Sequence, residues 1–290
     1  MIKMSHLLVC GSTALMLAGC ATSGSDDSSA DPTASPEMPV LLQVRSGGGI
    51  AGMGPPIGEV PAVSLYADGR LITPGPQILI YPPPALPSVQ LQRIGADRAE
   101  ALAGQAVAAG VRPDTDFGDP RTPDATTTWI TVNSAGTEAT VAITALREAD
   151  ADDPDLTAAQ QAARQEVKAL VRELEGLPTA ESLPEPEPYQ PGEIAVLVRP
   201  HTPGSPDPAS PAPVRAWPGP ALPGSEPPGS EPPGENWTGC VIADGSDVER
   251  IRSAAEDAST MTAWTWQGQA WQVGIRPLLP DESRCADLSM

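Results

Sequence analysis

Apolar and polar positions divide the chain into short structured segments separated by Gly- and Pro-rich stretches. Val40-Leu41-Leu42-Gln43-Val44 reads as a strand, followed by a Gly-rich turn over 47–52. Within 62–72, Asp68-Gly69 between apolar runs predicts a type I′ hairpin with Leu65 opposite Ile72. Ile78-Leu79-Ile80-Tyr81 reads as another strand, stopped by Pro82-Pro83-Pro84. Asp97 to Ala109 has helical composition, with Asp97 as its cap and Gly110 as its stop. Thr126 to Thr144 reads as a half-buried hairpin in which Ile130 and Val132 share a face with Ala139, Val141 and Ile143.

A second helix is expected from Thr157 to Leu174, capped by Asp155 or Thr157 and ended by Gly176. Its inward stripe is Leu156, Ala163, Val167, Leu170, Val171 and Leu174. Ile194 to Val198 reads as a buried strand. After Gly239-Cys240-Val241-Ile242 come a helix over 247–258 and a hairpin over 262–275. A Gln267-Gly268 turn sets Trp264 opposite Trp271, with Trp266, Val273 and Ile275 on the same face. Few helices among many strands give the α+β class, with largely antiparallel sheets and about three helices. Strand, helix and hairpin recur over 62–144 and 240–276, either as two duplicated βαββ-like units or, preferably, as recurrent α+β grammar.

Two segments lack the composition to bury a core. Ala21 to Pro39 is mostly Ser, Asp, Pro and Ala, and reads as a flexible tether. Pro200 to Asn236 is rich in Pro, Gly, Ser and Glu, repeats Gly-Ser-Glu-Pro-Pro at 224–228 and 229–233, and reads as a solvated loop. Within it, Val214 to Trp217 is a candidate short strand. The main α+β region is thus expected over 40–199 and a C-terminal α+β part over 237–290.

The first twenty residues carry an address. Lys3 precedes an apolar run from Leu7 to Ala18, too short to span a bilayer but suited to a signal peptide over 1–19. Leu17-Ala18-Gly19-Cys20 resembles the bacterial lipoprotein lipobox. That resemblance implies a diacylglyceryl group on Cys20 and anchoring to the outer face of the cytoplasmic membrane. More than one acyl chain is needed for stable anchoring.

Cysteine count then narrows the rest. Cys10 leaves with the signal peptide and Cys20 takes the lipid, so Cys240 and Cys285 remain as a disulfide pair in an oxidising compartment. The formal net charge of −20 argues against nucleic acid as a partner.

The segment from Ser64 to Ile72, Tyr81-Pro82-Pro83-Pro84-Ala85-Leu86-Pro87, Trp217-Pro218 and the stretch from Arg276 to Glu282 before Cys285 follow one another behind the lipobox. In that order they resemble a group of lipoproteins from high-GC actinobacteria, over about residues 40–285. The resemblance implies the address and the unity of the folded region. It implies no activity, ligand or catalytic residue.

Catalytic chemistry has few places to sit. Beyond the signal peptide the sequence holds one His, His201 in a Pro-rich loop, so a His-based zinc site is excluded by count. No Gly-x-Ser-x-Gly elbow or phosphate-binding loop occurs, and no cofactor is expected. Lys168 reads as a solvated helix residue, and Gly47-Gly48-Gly49 as a loop rather than an anion cradle. Asp114, Asp116, Asp119 and Asp124 offer oxygen ligands for calcium, but the spacing departs from the EF-hand loop and solvated turns are favoured.

Asp150, Asp152, Asp153 and Asp155 suit the positive end of the second helix. Trp264, Trp266 and Trp271 are either core or a platform for stacking a sugar or peptide, with Trp266 the most exposed candidate. The expected function is a non-catalytic, lipid-anchored envelope protein that binds or scaffolds an envelope protein or glycan. The alternative is a carboxylate-dependent enzyme acting on cell-wall glycan, which needs two acids about 5–10 Å apart.

Overall fold

A computed structural model describes residues 39–49, 57–202, 213–227 and 237–289. The signal-peptide run, Cys20 and the tether through Met38 lie outside the described residues, as does the second Gly-Ser-Glu-Pro-Pro copy. All described residues belong to one unit, 35–290.

The fold is α+β. The strands are β1 (Val40–Gly48), β2 (Val63–Tyr66), β3 (Arg70–Pro74), β4 (Val89–Arg93), β5 (Thr126–Ser134), β6 (Thr137–Thr144) and β7 (Glu187–Pro188). They form a seven-stranded antiparallel sheet in the order β6-β5-β1-β2-β3-β4-β7. A five-stranded sheet joins β8 (Ile194–Pro200), β9 (Val214–Ala216), β10 (Gly239–Ala243), β11 (Ala263–Trp266) and β12 (Gln269–Pro277) in the order β10-β8-β12-β11-β9. Only the short β9 pairs in parallel. Three helices complete the described residues: α1 (Ala96–Ala108), α2 (Ala158–Gly176) and α3 (Gly245–Ala255).

Each sheet buries one face against helix. Leu42, Val44, Leu65, Ile130 and Val132 meet Leu102 of α1 and Val167 and Leu174 of α2 in the larger core. Val196, Val198, Val273 and Ile275 meet Val248 and Ile251 of α3 in the second. The chain after β12 bridges the sheets' other faces. Leu278 packs with Leu197, Cys240 and Leu288, whereas its neighbour Leu279 packs with Tyr66, Ile72 and Val89.

Local signals hold where their partners are close in sequence. Ile130 pairs with Val141 and Val132 with Ala139, as the alternation requires. Trp264 pairs with Trp271 across Gln267-Gly268. Helix α2 starts on a reciprocal capping box, Thr157 with Gln160, and buries Val167, Leu170, Val171 and Leu174. It also buries Arg164, which donates to the carbonyls of Phe117 (3.1 Å) and Thr144 (2.6 Å). After α1, Gly110 (φ +101) closes a Schellman motif, with Gly110 N–H donating to Val107 and Val111 N–H to Ala106.

Several expectations are corrected. The 66–70 turn is not type I′: only Gly69 (φ +82) is left-handed, Leu65 pairs with Leu71, and Ser64 with Ile72. The loop has three residues, with Gly69 as the bulge glycine, and a Cβ there would meet the Gly95 carbonyl carbon at 2.4 Å. The cap of α1 is Gly95 rather than Asp97, which lies in the first turn. Gly47 and Gly48 lie in a strand rather than a loop, extending β1 against Thr127 and Thr126. Ile78 to Tyr81 form no strand and stand exposed.

The second proline-rich region is not wholly solvated: Trp217 and Leu222 are buried in the α3 core, and Ser225 bridges Cys240. The two βαββ-like stretches are wired differently. In the second, β10 and β12 flank β8, whereas β1, β2 and β3 lie between β4 and β5 in the first.

Candidate functional site

The sheet face of β1 and β5 that turns away from the helices carries the polar half of the alternation. Register sets Gln43 beside Thr131 and Arg45 beside Trp129, and Thr140 of β6 continues the first row. The Thr131 and Thr140 hydroxyls bond each other at 2.8 Å. The segment 281–287 folds over one side of this face. Between them lies a groove of about 490 Å³, bordered by Trp129, Glu138, Arg45 and the carboxylates of Asp281, Glu282 and Asp287.

A buried charge cluster forms the groove's inner wall. Arg276 is 0 % exposed and grips Glu282 with two bonds, Nη1 to Oε2 at 2.5 Å and Nη2 to Oε1 at 2.7 Å. Its Nε donates to the Glu59 carbonyl at 3.2 Å. Glu282 also accepts from the Leu279 amide at 2.9 Å and faces Arg45 Nη2 at 3.5 Å. Arg45 spends its other donors on Gln43 Oε1 (2.8 Å) and the Leu288 carbonyl (3.2 Å). Burial lowers the Arg45 pKa, and the Glu282 carboxylate opposes that shift.

Each neighbouring acid has a different environment. Asp281 accepts from the Tyr66 hydroxyl at 2.5 Å. Burial pushes Asp281 above the usual carboxylate range; the Tyr66 hydrogen bond resists this and the Glu282 charge adds to it. Burial likewise pushes Tyr66 up, reinforced by Asp281. Burial would also raise Asp287, but bonds from the Ser283 amide, the Arg284 guanidinium and the Arg284 amide outweigh it and hold this carboxyl low.

The raised Asp281 pKa gives a pH prediction. Ionised Asp281 is disfavoured in the fold, so its contribution favours the fold at low pH and is lost as pH rises through the raised value. Asp281→Asn keeps an acceptor for Tyr66 and removes the buried charge. Its melting temperature relative to the parent is expected to be higher at pH 7 than at pH 4. Equal differences at both pH values would show that Asp281 titrates as a solvated acid.

The sites expected from sequence fare differently. Cys240 and Cys285 form a disulfide. Trp264 is core, 1 % exposed, and packs edge-on against Trp217 at 5.5 Å. Trp266 and Trp271 are half-buried against the same core. Three of the four aspartates that offered oxygen ligands for calcium have identifiable partners. Asp116 accepts from Gly118 and Gln160, Asp119 from the Arg121 amide, and Asp114 faces Arg112. Among the described residues no three His, Cys, Asp or Glu side chains are grouped to hold a metal ion.

Trp129 was legible only as the residue out of phase with Ile130 and Val132. The Arg45, Arg276, Asp281 and Glu282 cluster left no local signal. Comparison with known proteins finds no matching family, no matching curated protein and no matching solved structure.

Proposed function

We propose that this protein is a non-catalytic lipoprotein of the bacterial envelope. A lipid on Cys20 holds it on the outer face of the cytoplasmic membrane, and the groove beside Trp129 receives a glycan or an envelope protein. The lipobox-like Leu17-Ala18-Gly19-Cys20 and the likeness to actinobacterial lipoproteins support the address.

One observation carries the preference for binding over hydrolysis: two of the groove's four acids, Glu282 and Asp287, are held by structural partners. Glu282 is clamped by Arg276 and Asp287 caps the turn at 283–284. The alternative, a carboxylate-dependent enzyme acting on cell-wall glycan, is favoured by the raised Asp281 alone. It would have to recruit exposed Glu138 as the second acid. A half-buried Trp beside a row of hydroxyls is suited to a sugar face or a peptide strand.

A photoreactive residue at position 129, in intact cells, tests both parts. With Cys20 present, the protein should stay in the detergent phase and capture a ligand that the same probe at exposed Glu173 does not. Cys20→Ala should move it to the aqueous phase. Retention of that variant in the detergent phase would overturn the anchor, and equal capture at both positions would overturn the groove.

A further inference from the structure

The connection from β3 to β4, residues 75–88, holds the most exposed apolar surface among the described residues. Ile78, Leu79, Ile80 and Tyr81 are 61 %, 102 %, 55 % and 78 % exposed. They are consecutive, and the whole 75–88 stretch contains no charged residue in a chain that is 19 % charged. Four neighbouring apolar side chains in water mark a contact surface rather than ordinary scatter.

The base of the connection is pinned. Gly75 N–H donates to the Ser88 carbonyl at 2.9 Å, closing its neck. Pro83 accepts from Thr260 at 2.9 Å, and Ala85 donates to Ala258 at 3.0 Å. Ala85 and Leu86 sink into the α3 core. The tip is therefore held outward by a fixed base, which keeps its apolar side chains from folding back.

We propose that Ile78 to Tyr81 form a membrane-contact loop that inserts at the boundary between lipid headgroups and acyl chains. The proposal rests on the reading that Cys20 is the anchor, because that places a bilayer within reach. The eighteen residues between Cys20 and Pro39 span at most about 60 Å. They lead into β1 at the Val40–Tyr66 end of the sheet, whereas β3 carries the loop to the other end, about 16 Å away.

Charge points to the same surface. A molecule with formal net charge −20 is repelled by anionic headgroups, and a charge-free apolar tip approaches with the least of that cost. Tyr81, next to the pinned base, offers an amphipathic ring of the kind that settles at headgroup level.

The test imposes the anchor chemically, so that it stands whether or not cells lipidate Cys20. The chain from residue 20, with its disulfide intact, is coupled through the Cys20 thiol to maleimide lipid in phosphatidylcholine vesicles. An environment-sensitive fluorescent residue replaces Leu79, or Glu173 as control. The expected result is a blue shift and quenching by shallow nitroxide lipids at 79 and not at 173.

In the uncoupled chain, Leu79→Asp with Ile80→Asp should lower vesicle partitioning by at least about tenfold. Water-like emission at 79 on vesicles overturns the proposal. So does a blue shift that grows with protein concentration in the absence of vesicles, which assigns the tip to a second copy of the chain. Failure of the cellular anchor is read separately, from the detergent partitioning of Cys20→Ala.

Discussion

Glu282→Ala is expected to cost about 3–5 kcal/mol of folding stability. The reason is what it leaves behind. Arg276 is fully buried and Arg45 nearly so, and Glu282 faces both guanidinium groups. Its removal strands two buried cations and also frees the Leu279 amide that sets the turn between the sheets.

The pair itself need not stabilise relative to an apolar replacement. Arg276→Met combined with Glu282→Leu should therefore recover part of the loss, the remainder reflecting Arg45 and the Leu279 amide, which stay without the carboxylate. Urea unfolding of the three proteins measures both effects. A loss below about 1 kcal/mol for Glu282→Ala would mean that water reaches the guanidinium groups and that the cluster behaves as a surface pair.

What the sequence announced and what it concealed differ in range. The 126–144 hairpin, the Trp264–Trp271 pairing, the Thr157 cap and the stripe of α2 are all written within a few residues of their partners. A period or a cap encodes them directly. Asp68-Gly69 misled by one residue because the same pair suits a two-residue turn or the end of a three-residue one. The close approach of Gly95, distant in sequence, accompanies the latter. Ile78 to Tyr81 has strand composition but pairs with no strand among the described residues.

The groove was hidden for the same reason. Gln43 and Arg45 alternate with Leu42 and Val44 along β1, and residues near 282–288, more than two hundred positions away, cover them. Segments far apart in the chain are tied together in the same way. Tyr66 bonds Asp281. Pro83 and Ala85 tie down the chain after α3.

The disulfide should be worth nearly as much as the charge cluster. It closes a 45-residue loop, for which the chain-entropy model gives about 4 kcal/mol. At the size of this folded region that corresponds to a fall of about 8–16 °C in melting temperature for Cys240→Ala with Cys285→Ala. The larger core lies outside the loop, so the sheet on α1 and α2 should persist.

The damage should concentrate at the last turn, Cys285–Ser289, where Leu288 is fully buried and its carbonyl holds Arg45. Calorimetry gives the melting temperature, and amide exchange should show protection lost first over 283–289. A shift under about 2 °C would show that packing alone fixes this turn. Because the turn carries an acceptor for the same Arg45 that faces Glu282, the bridge and the cluster are coupled. Combining Glu282→Ala with loss of the bridge should cost less than the two separate losses added together, since the second change disturbs an Arg45 site already loosened by the first.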